Sequence, residues 1–505
     1  MSKKYSALLT VVLWFAFNSA SWAGITGKIT GEVTDKQTGA PLLGANILVE
    51  GTSLGAVSDV SGLYVITNVM PGTYSVKFRM MGYSPTTVTE VIVYSDRIAK
   101  VDCGLKSTVI QGEEVVITAT REPIEFDRTS SAAYVRQEEI EALPVQSLSE
   151  IIQLQAGVVT DAGGGLHFRG GRSREVAYMI DGVTVTNTFS QGGGSNVSVE
   201  NNFIKELQVI TGTFNAEYGQ AQSGVINVVT KVPEDKYKGS VEALSGGYYA
   251  PNQPMYIGLD SFDPISEQEL KFSLSGPLPF PKSLGKLGFF VNGRLVDSDG
   301  YLNGQRRYRP EDGWEIEVFR EWYEASYDPP DPLVIPLPDS LHTGDGAMVP
   351  IDWGKKYNIN TKLVYQPGFG LTLSYNLFLS KSKGKSYSHS WRFCPDGLPY
   401  WFDDAATHMA VLTHAPQPNL FYNLRYSYQA NHSKSYTFED ANDPRYQIAA
   451  VNAWDPGKIT GFDYGGINSW DRRYQDRSMH LINGDITWQI NKVIEVKSGF
   501  EAKKY

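Results

Sequence analysis

The sequence predicts a mainly β protein: a β-sandwich, then an α+β domain, then an antiparallel transmembrane β-barrel that is truncated. Residues that favour turns and strands are abundant, with 49 Gly, 29 Tyr, 22 Phe and 10 Trp among 505 residues. Alternating apolar and polar residues recur along the chain, and the C-terminal half carries segments of about ten residues with one apolar face. These patterns place the sandwich at 24–107, the middle domain at 123–232 and the barrel at 237–505.

Residues 1–23 have the features of a secretory signal peptide. Lys3 and Lys4 precede the apolar run Ala7–Phe17, and a small residue, Ala23, stands where a signal peptidase cleaves. The run is too short for a membrane-spanning helix, which needs about 20 apolar residues. No later stretch is long and apolar enough, so we expect any membrane-embedded part to be a barrel.

Charge and composition exclude several function classes. The net charge of -10 and the pI near 5.4 argue against a nucleic-acid partner, which needs a basic surface. Cys103 and Cys394 are far apart, and the seven His show no metal-ligand spacing. We therefore predict no catalytic residues, no metal site and no cofactor, and we do not expect an enzyme.

The sandwich prediction comes from about seven short strands separated by tight turns, with no helical pattern. The stretches "TGAPLLGANILVEGT" and "VMPGTYSVKFRMMGY", with a turn at Pro71-Gly72, resemble the carboxypeptidase regulatory-like domain. The resemblance implies a fold and no activity. A periplasmic adaptor or ligand module and a plain spacer both remain open.

A short β-prone run lies in the linker at residues 108–122. The segment "EEVVITATR" resembles the TonB box, by which TonB-dependent outer-membrane receptors are engaged from the periplasm. Such a box acts by β-augmentation, in which an extended peptide adds a strand to the edge of a partner's sheet. The resemblance implies that the partner-binding residues are Glu113, Glu114, Val115, Val116, Ile117, Thr118 and Ala119.

The middle domain combines a short helix with strands and a hairpin. Ser147 and Glu150 have capping-box spacing before an apolar run, and Asp181-Gly182 predicts a two-residue turn after the strand Val176–Ile180. The ordered motifs "EIIQLQAGV", "FRGGRSREVAYMIDGV" and "IKELQVITGTFNAEYGQAQSGVINVVTK" resemble the plug domain of TonB-dependent receptors. The sequence departs from that family in a loop at 214–222, which is less rich in glycine.

Charged residues gather around the predicted hairpin of the middle domain. The plug resemblance implies a polar barrel lumen, where buried charges must be paired. We predict a plug ion-pair network formed by Arg169, Arg172, Arg174, Glu175 and Asp181. Direct contact of the arginines with an anionic ligand is the alternative.

Residues 237–505 show the pattern of transmembrane barrel strands. The segments "LTLSYNLFLS", "LFYNLRYSYQAN" and "HLINGDITWQI" each carry apolar side chains on one face and polar side chains on the other. Tight connections alternate with long ones at 297–353, 381–405 and 431–476. About nine strands precede Tyr505, whereas a plugged transporter barrel has about 22, so we expect an N-terminal fragment of a longer receptor.

The long connections are rich in aromatic residues that could meet a solute. They carry Trp314, Trp322, Trp391, Trp401, Trp454 and Trp470. These side chains could stack on a sugar or an aromatic ligand, or they could form self-packed lids. The sequence leaves both readings open.

Together the resemblances imply an energy-coupled outer-membrane importer with its sandwich in the periplasm. The expected partners are a TonB-type inner-membrane energy-coupling complex, outer-membrane lipid, a surface lipoprotein and a small or medium solute of the oligosaccharide, peptide or siderophore class. A surface binding protein, signal transducer or adhesin without transport is one alternative. A secreted binding module is another.

Overall fold

Three β-rich units follow one another in the computed structural model. It describes residues 25–52, 54–108, 115–118, 131–161, 164–187, 193–212, 221–252, 255–326, 343–448, 451–453, 462–468, 472–490 and 494–505. Within these ranges the chain forms an N-terminal sandwich, a middle α+β domain and a large antiparallel sheet. The predicted signal peptide lies outside the described residues.

The N-terminal sandwich packs two sheets face to face. Its described strands are β1 Gly27–Asp35, β2 Asn46–Val49, β3 Gly55–Val57, β4 Leu63–Val69, β5 Gly72–Arg79, β6 Thr86–Val93, β7 Ile98–Lys100, β8 Cys103–Leu105 and β9 Val115–Thr118. One sheet has the order β4-β1-β7, with β8 also paired to β1, and the other has the order β3-β2-β5-β6-β9. Alternate residues of β1 point into a core that includes Val33, Ile47 and Phe78, so the predicted sandwich is confirmed as a fold.

The middle domain is a mixed sheet with two short helices. The helices are α1 Gln137–Ala142 and α2 Leu148–Gln153, and the strands are β10 Ser131–Arg136, β11 Val158–Thr160, β12 Leu166–Phe168, β13 Val176–Ile180, β14 Val183–Thr184, β15 Ile204–Thr211 and β16 Gly224–Thr230. The main sheet has the order β10-β15-β16-β13-β14, while β11 pairs with β12. The Ser147 hydroxyl accepts a hydrogen bond from the Glu150 amide, which confirms the predicted start of α2.

Strand β13, which was predicted at Val176–Ile180, is buried on both faces. Tyr178 and Ile180 belong to the core that the middle domain shares with the large sheet. Ala177 and Met179 on the opposite face pack with Ile210 and Val225 in a second cluster. The continuous apolar run "VAYMI" therefore reflects a central strand rather than a half-exposed one.

A nine-stranded antiparallel sheet forms the C-terminal unit. The described strands of this region are β17 Lys238–Gly246, β18 Glu267–Pro277, β19 Lys286–Ser298, β20 Asn303–Gln305, β21 Met348–Pro350, β22 Gly354–Gly368, β23 Leu371–Lys385, β24 Tyr400–Gln417, β25 Leu420–Tyr436, β26 Val451–Ala453, β27 Phe462–Tyr464, β28 Arg473–Gln489 and β29 Glu495–Lys504. The sheet order is β17-β18-β19-β22-β23-β24-β25-β28-β29, and the sheet is open. The pairs β20-β21 and β26-β27 lie within long connections.

The two faces of this sheet differ in polarity, as the alternating patterns predicted. On β23, Leu373, Tyr375 and Leu379 point away from the middle domain and are 37–38% exposed, whereas Asn376 is 0% exposed. The face toward the middle domain is mostly polar and buried, and it includes Asn292, Asn358, Asn360, Lys362, Asn423, Arg425, Ser427, Gln429 and Asn483. An apolar outer face and a polar inner face are typical of strands that cross a membrane as part of a barrel.

The strands run further than predicted at the end of the sheet that carries the long connections. Strand β23 continues to Lys385 and β24 begins at Tyr400, so the predicted loop at 381–405 was too long. Likewise β25 reaches Tyr436 and β28 begins at Arg473. Antiparallel pairing continues through polar residues beyond the apolar band, because backbone hydrogen bonds need no apolar side chains. Short turns at the other end of the sheet are confirmed.

A helix that was not predicted lies in the first long connection. Helix α3 spans Asp312–Ser326, and Ile316 on it belongs to a buried cluster with Ile351 and Trp391. This packing supports the interpretation that Trp391 packs within the long connections rather than stacking on a ligand. Trp314 and Trp322 on α3 are exposed, while Trp454 and Trp470 lie outside the described residues.

Among the residues that the structure describes, no helix is both long and apolar enough to cross a membrane.

Candidate functional site

The tip of the β13-β14 hairpin is fixed to the large sheet by a buried charge pair. Asp181 and Gly182 form the predicted two-residue turn, with φ values of 48° and 76°. The Lys362 ammonium on β22 lies 2.9 Å from the Asp181 carboxylate and donates a 2.6 Å hydrogen bond to the Thr230 hydroxyl. Thr230 in turn donates to Asp181 from its amide, at 2.9 Å, and from its hydroxyl, at 2.6 Å.

This network keeps the Asp181 carboxyl ionised despite its burial. Asp181 is only 3% exposed, and burial alone would raise its pKa. The Lys362 ammonium and the hydrogen bonds from Thr230 outweigh that effect and hold the pKa below its usual range. The hairpin tip therefore carries a buried charge that is compensated where the tip lies against this part of the sheet.

The second turn residue is held by strands β25 and β28. The Asn483 side chain donates to the Gly182 carbonyl at 3.0 Å, and Gln429 donates to the Thr184 carbonyl at 3.0 Å. Arg425, which is fully buried and paired with Asp485, lies against Gly182. A Cβ atom at residue 182 would lie 2.9 Å from the Arg425 Nε atom.

Gly182→Ala is expected to loosen the hairpin tip. The added methyl group meets the Arg425 guanidinium, and alanine disfavours the positive φ by about 1–2 kcal/mol. Gly164→Ala is the matched control, because Gly164 has φ 80° and open space around it. Hydrogen exchange of the β13 amides should be at least about tenfold faster in Gly182→Ala than in Gly164→Ala. Equal exchange rates in the two variants would contradict the predicted clash between the added methyl group and Arg425.

The predicted arginines lie in exposed positions near the hairpin. Arg169, Arg172 and Arg174 are exposed, and Arg169 adopts a positive φ of 47° in the turn after β12. Glu175 is half-buried and accepts a hydrogen bond from the Arg172 amide at 3.0 Å. None of the three arginines forms an ion pair with another described residue. Their role in an ion-pair network stays a prediction, and of the five predicted members the structure places Asp181 in a charge pair, with Lys362.

A polar cleft separates the middle domain from the large sheet at the end with the long connections. Its volume is about 1080 Å³. Hydroxyl and amide side chains form much of its lining, together with Trp401, and they include Ser195, Asn196, Ser198, Ser380, Ser382, Asn431 and Ser433. Arg294 at its wall is paired with Glu269 at 2.7 Å and lies 3.9 Å from Glu200. The cleft thus offers hydrogen-bonding and charged groups together with the aromatic residues Tyr178 and Trp401.

The sandwich contacts the large sheet at the opposite end, where the turns are short. The Thr67 hydroxyl donates to the Pro418 carbonyl at 2.5 Å, and the Lys497 ammonium lies 2.6 Å from the Asp96 carboxylate. Lys28 pairs with Glu495 at the start of β29. The middle domain thus lies between the cleft at one end of the strands and the sandwich at the other.

The sandwich also contacts the middle domain directly. The Ser95 amide donates to the Glu206 carboxylate at 3.0 Å, and the Arg97 guanidinium lies 4.2 Å from the centre of the Tyr134 ring. Burial raises the pKa of Glu206, and the hydrogen bond from Ser95 only partly offsets this rise.

The predicted box segment is only partly described. Val115, Val116, Ile117 and Thr118 form β9, and Glu113, Glu114 and Ala119 lie outside the described residues. The side chains of residues 116–118 are exposed. A partner-binding role for this segment stays a prediction.

Two family models match the chain. A CarboxypepD_reg-like domain matches residues 29–117, past the boundary predicted at 107, and so includes all of β9 but its last residue. The TonB-dependent Receptor Plug Domain matches residues 125–226. The middle domain is a TonB-dependent receptor plug domain. The hairpin and its Asp181 therefore belong to this plug domain, whereas Lys362 lies in the large sheet.

Curated relatives are TonB-dependent proteins as well. The TonB-dependent transporter Oar of Myxococcus xanthus is 27% identical over 251 residues, which cover 46% of this chain and 23% of the relative. The ferric enterobactin receptor PirA of Pseudomonas aeruginosa is 26% identical over 230 residues, which cover 42% and 29%. The chain spans about a quarter of the length of these relatives. Because they are a transporter and a receptor, they point to a non-enzymatic role.

A solved structure shares the fold. The outer-membrane transporter YddB from Escherichia coli superposes with a TM-score of 0.50 at 13% identity, covering 74% of this chain and 47% of YddB. The open sheet resembles the start of a TonB-dependent receptor barrel. Within the described part of the chain, no cluster of three or more His, Cys, Asp or Glu could hold a metal ion.

Proposed function

We propose that the protein is an energy-coupled outer-membrane importer that admits a bulky polar solute past its plug domain. The observation that carries this proposal is the position of the plug domain. It lies between the polar cleft and the sandwich, and it is held to the sheet by a polar network at its hairpin tip and by a shared apolar core.

The cleft supports a solute with many hydrogen-bonding groups. Its hydroxyl and amide lining matches the donors and acceptors of an oligosaccharide or a peptide, and Trp401 offers a surface for stacking. Because one relative is a ferric enterobactin receptor, the siderophore class is a second candidate for the solute. We propose the oligosaccharide or peptide class first, on the chemistry of the lining.

Energy would reach the plug domain through the box segment. An exposed, β-prone segment just before the plug domain is suited to pairing with the sheet edge of a TonB-type partner. We place the sandwich in the periplasm, a proposal supported by its position at the short-turn end of the strands. A surface lipoprotein partner stays a prediction.

One observation favours a second candidate, a surface receptor that signals without transport. The plug domain touches the sandwich through Ser95 and Glu206, so a ligand in the cleft could be sensed in the periplasm.

Collapse of the proton gradient separates the two candidates. An importer loses uptake of labelled oligosaccharides or peptides but keeps surface binding, whereas a signalling receptor shows binding alone in both states.

Trp401→Ala is expected to weaken solute binding about two- to tenfold, because an aromatic stacking surface in the cleft is lost. Trp314→Ala is the matched control, since Trp314 is exposed on α3 and is not part of the cleft lining. Binding of labelled oligosaccharides of graded length to the full-length protein measures both effects. If both variants bind like the wild type, the cleft is not the binding site.

A further inference from the structure

The sandwich loop at residues 94–97 contacts two other parts of the chain with neighbouring residues. The Ser95 amide donates to the Glu206 carboxylate of the plug domain at 3.0 Å. Asp96, the next residue, pairs with Lys497 on β29 of the large sheet at 2.6 Å. This loop therefore links the plug domain to the large sheet, although it belongs to neither of them.

The contacts of this loop with the plug domain, which we call the plug junction, are buried. Ser95 is 0% exposed and Glu206 on β15 is 1% exposed. On the neighbouring strand β10, the centre of the Tyr134 ring lies 5.1 Å from the centre of the Tyr94 ring and 4.2 Å from the Arg97 guanidinium. Separation of the sandwich from the plug domain would give up a buried hydrogen bond and both contacts of the Tyr134 ring.

The contacts of the sandwich with the large sheet, which we call the sheet junction, are more open to water. They are polar, and they include the pairs Lys28 with Glu495, Asp96 with Lys497, and Thr67 with the Pro418 carbonyl. The charged side chains are 16–29% exposed. A cavity of about 130 Å³ also lies between the two surfaces, lined by Asn68 and Ile98 on one side and by Phe421 and Thr487 on the other. Ion pairs that water can reach contribute little to stability, and a cavity shows that the surfaces do not pack closely.

We propose that the sandwich clamps the plug domain to the barrel at rest, and that this clamp opens at the sheet junction. Because the plug junction is buried and the sheet junction is not, the sandwich stays with the plug domain when the plug domain is displaced. The sandwich thus has a mechanical role that a plain spacer lacks. Displacement of the plug domain belongs to the proposed function, whereas the strengths of the two junctions can be compared without transport.

Distances between spin labels show which junction opens. The label sites are Lys106→Cys on the sandwich, Ser283→Cys in the turn between β18 and β19, and Glu138→Cys on α1 of the plug domain. All three positions are exposed and lie outside both junctions. Both native cysteines are buried, and burial raises the pKa of each to about 12, so the labels attach to the introduced cysteines. The first and second sites together report on the sheet junction, and the first and third report on the plug junction.

Lys497→Glu is the variant that should open the sheet junction. It places a third carboxylate beside Asp96 and Glu495, so like charges meet where opposite charges met. In the purified full-length protein, we expect most molecules to lose the wild-type distance between the sandwich and sheet labels. The distance between the sandwich and plug labels should stay as in the wild type. Asp96→Lys combined with Lys497→Glu restores opposite charges and should restore the first distance.

Lys100→Glu is the matched control, because it reverses one charge of the pair between Lys100 and Asp102, which lies inside the sandwich. Both label distances should stay as in the wild type. A change in this variant would overturn the assignment of the effect to the sheet junction.

The possible failures are distinct. An unchanged sheet distance in Lys497→Glu, or no recovery in the charge-swapped variant, overturns the role of the ion pairs in holding the sandwich. Loss of the plug distance together with the sheet distance overturns the proposal that the sandwich stays with the plug domain. None of these measurements involves a solute or an energy-coupling partner. A full-length protein that takes up no solute therefore counts against the proposed function and leaves the comparison of the junctions standing.

Discussion

Val116→Pro is expected to abolish energy-dependent uptake while leaving solute binding at the surface unchanged. Proline removes the backbone donor at the centre of the box segment and fixes φ, so the segment cannot form a regular ladder with any sheet edge. Val116 is exposed, so the change should cost the sandwich core little. Uptake of a labelled solute in energised cells measures the effect, which should exceed about a hundredfold if coupling depends on this strand.

Val116→Thr is the matched control for this prediction. Threonine keeps the backbone N–H and favours extended backbone, so pairing with a partner should persist. Uptake near the wild-type rate in Val116→Thr, with none in Val116→Pro, would identify main-chain pairing as the coupling contact. Normal uptake in the proline variant would show that the segment is not the coupling site.

Lys362→Met is expected to unseat the plug domain. It leaves the Asp181 carboxylate buried without its cation, and breaking a buried pair in this way costs about 3–5 kcal/mol. The hairpin tip should then leave the sheet for water, which opens a leak and exposes the plug domain to protease. Sensitivity of cells to large antibiotics and limited proteolysis of the purified protein both report this state.

Two further variants test whether loss of the charge pair is what unseats the plug domain in Lys362→Met. Asp181→Asn combined with Lys362→Met removes both charges, and asparagine tolerates the positive φ at this turn, so the double variant should be less damaged than Lys362→Met alone. Lys356→Met removes a lysine from the cleft side of the same strand and should leave the plug domain seated. A double variant as leaky as the single one would show that the charge pair is not what holds the tip.

Local patterns in the sequence predicted the elements that depend on local chemistry. The alternation of Leu371 to Leu379 assigned the outer face of β23, and the spacing of Ser147 and Glu150 marked the start of α2. Asp181-Gly182 predicted its turn because few residue pairs tolerate two positive φ values. Each of these features is encoded within a few residues.

Partners that are distant in the chain could not be predicted in the same way. Alternation shows that Lys362 faces inward, but it does not show that Lys362 meets Asp181, which is 181 residues away. Helix α3 was missed because its buried face meets another loop rather than the main sheet. The pairing of β9 with β6 was not predicted, because an exposed edge strand has no apolar pattern from which its neighbouring strand can be inferred.

The strand order of the plug domain determines how it would respond to mechanical load. The next described strand after the box segment is β10, which lies at one edge of the sheet β10-β15-β16-β13-β14, whereas Asp181 anchors the hairpin at the opposite edge. Tension applied through the box segment therefore reaches the β10-β15 ladder first and the anchored hairpin last. Strands at the loaded edge would separate one after another while the far edge stays in place, so a passage could open by partial unravelling and close by refolding against the anchored strands.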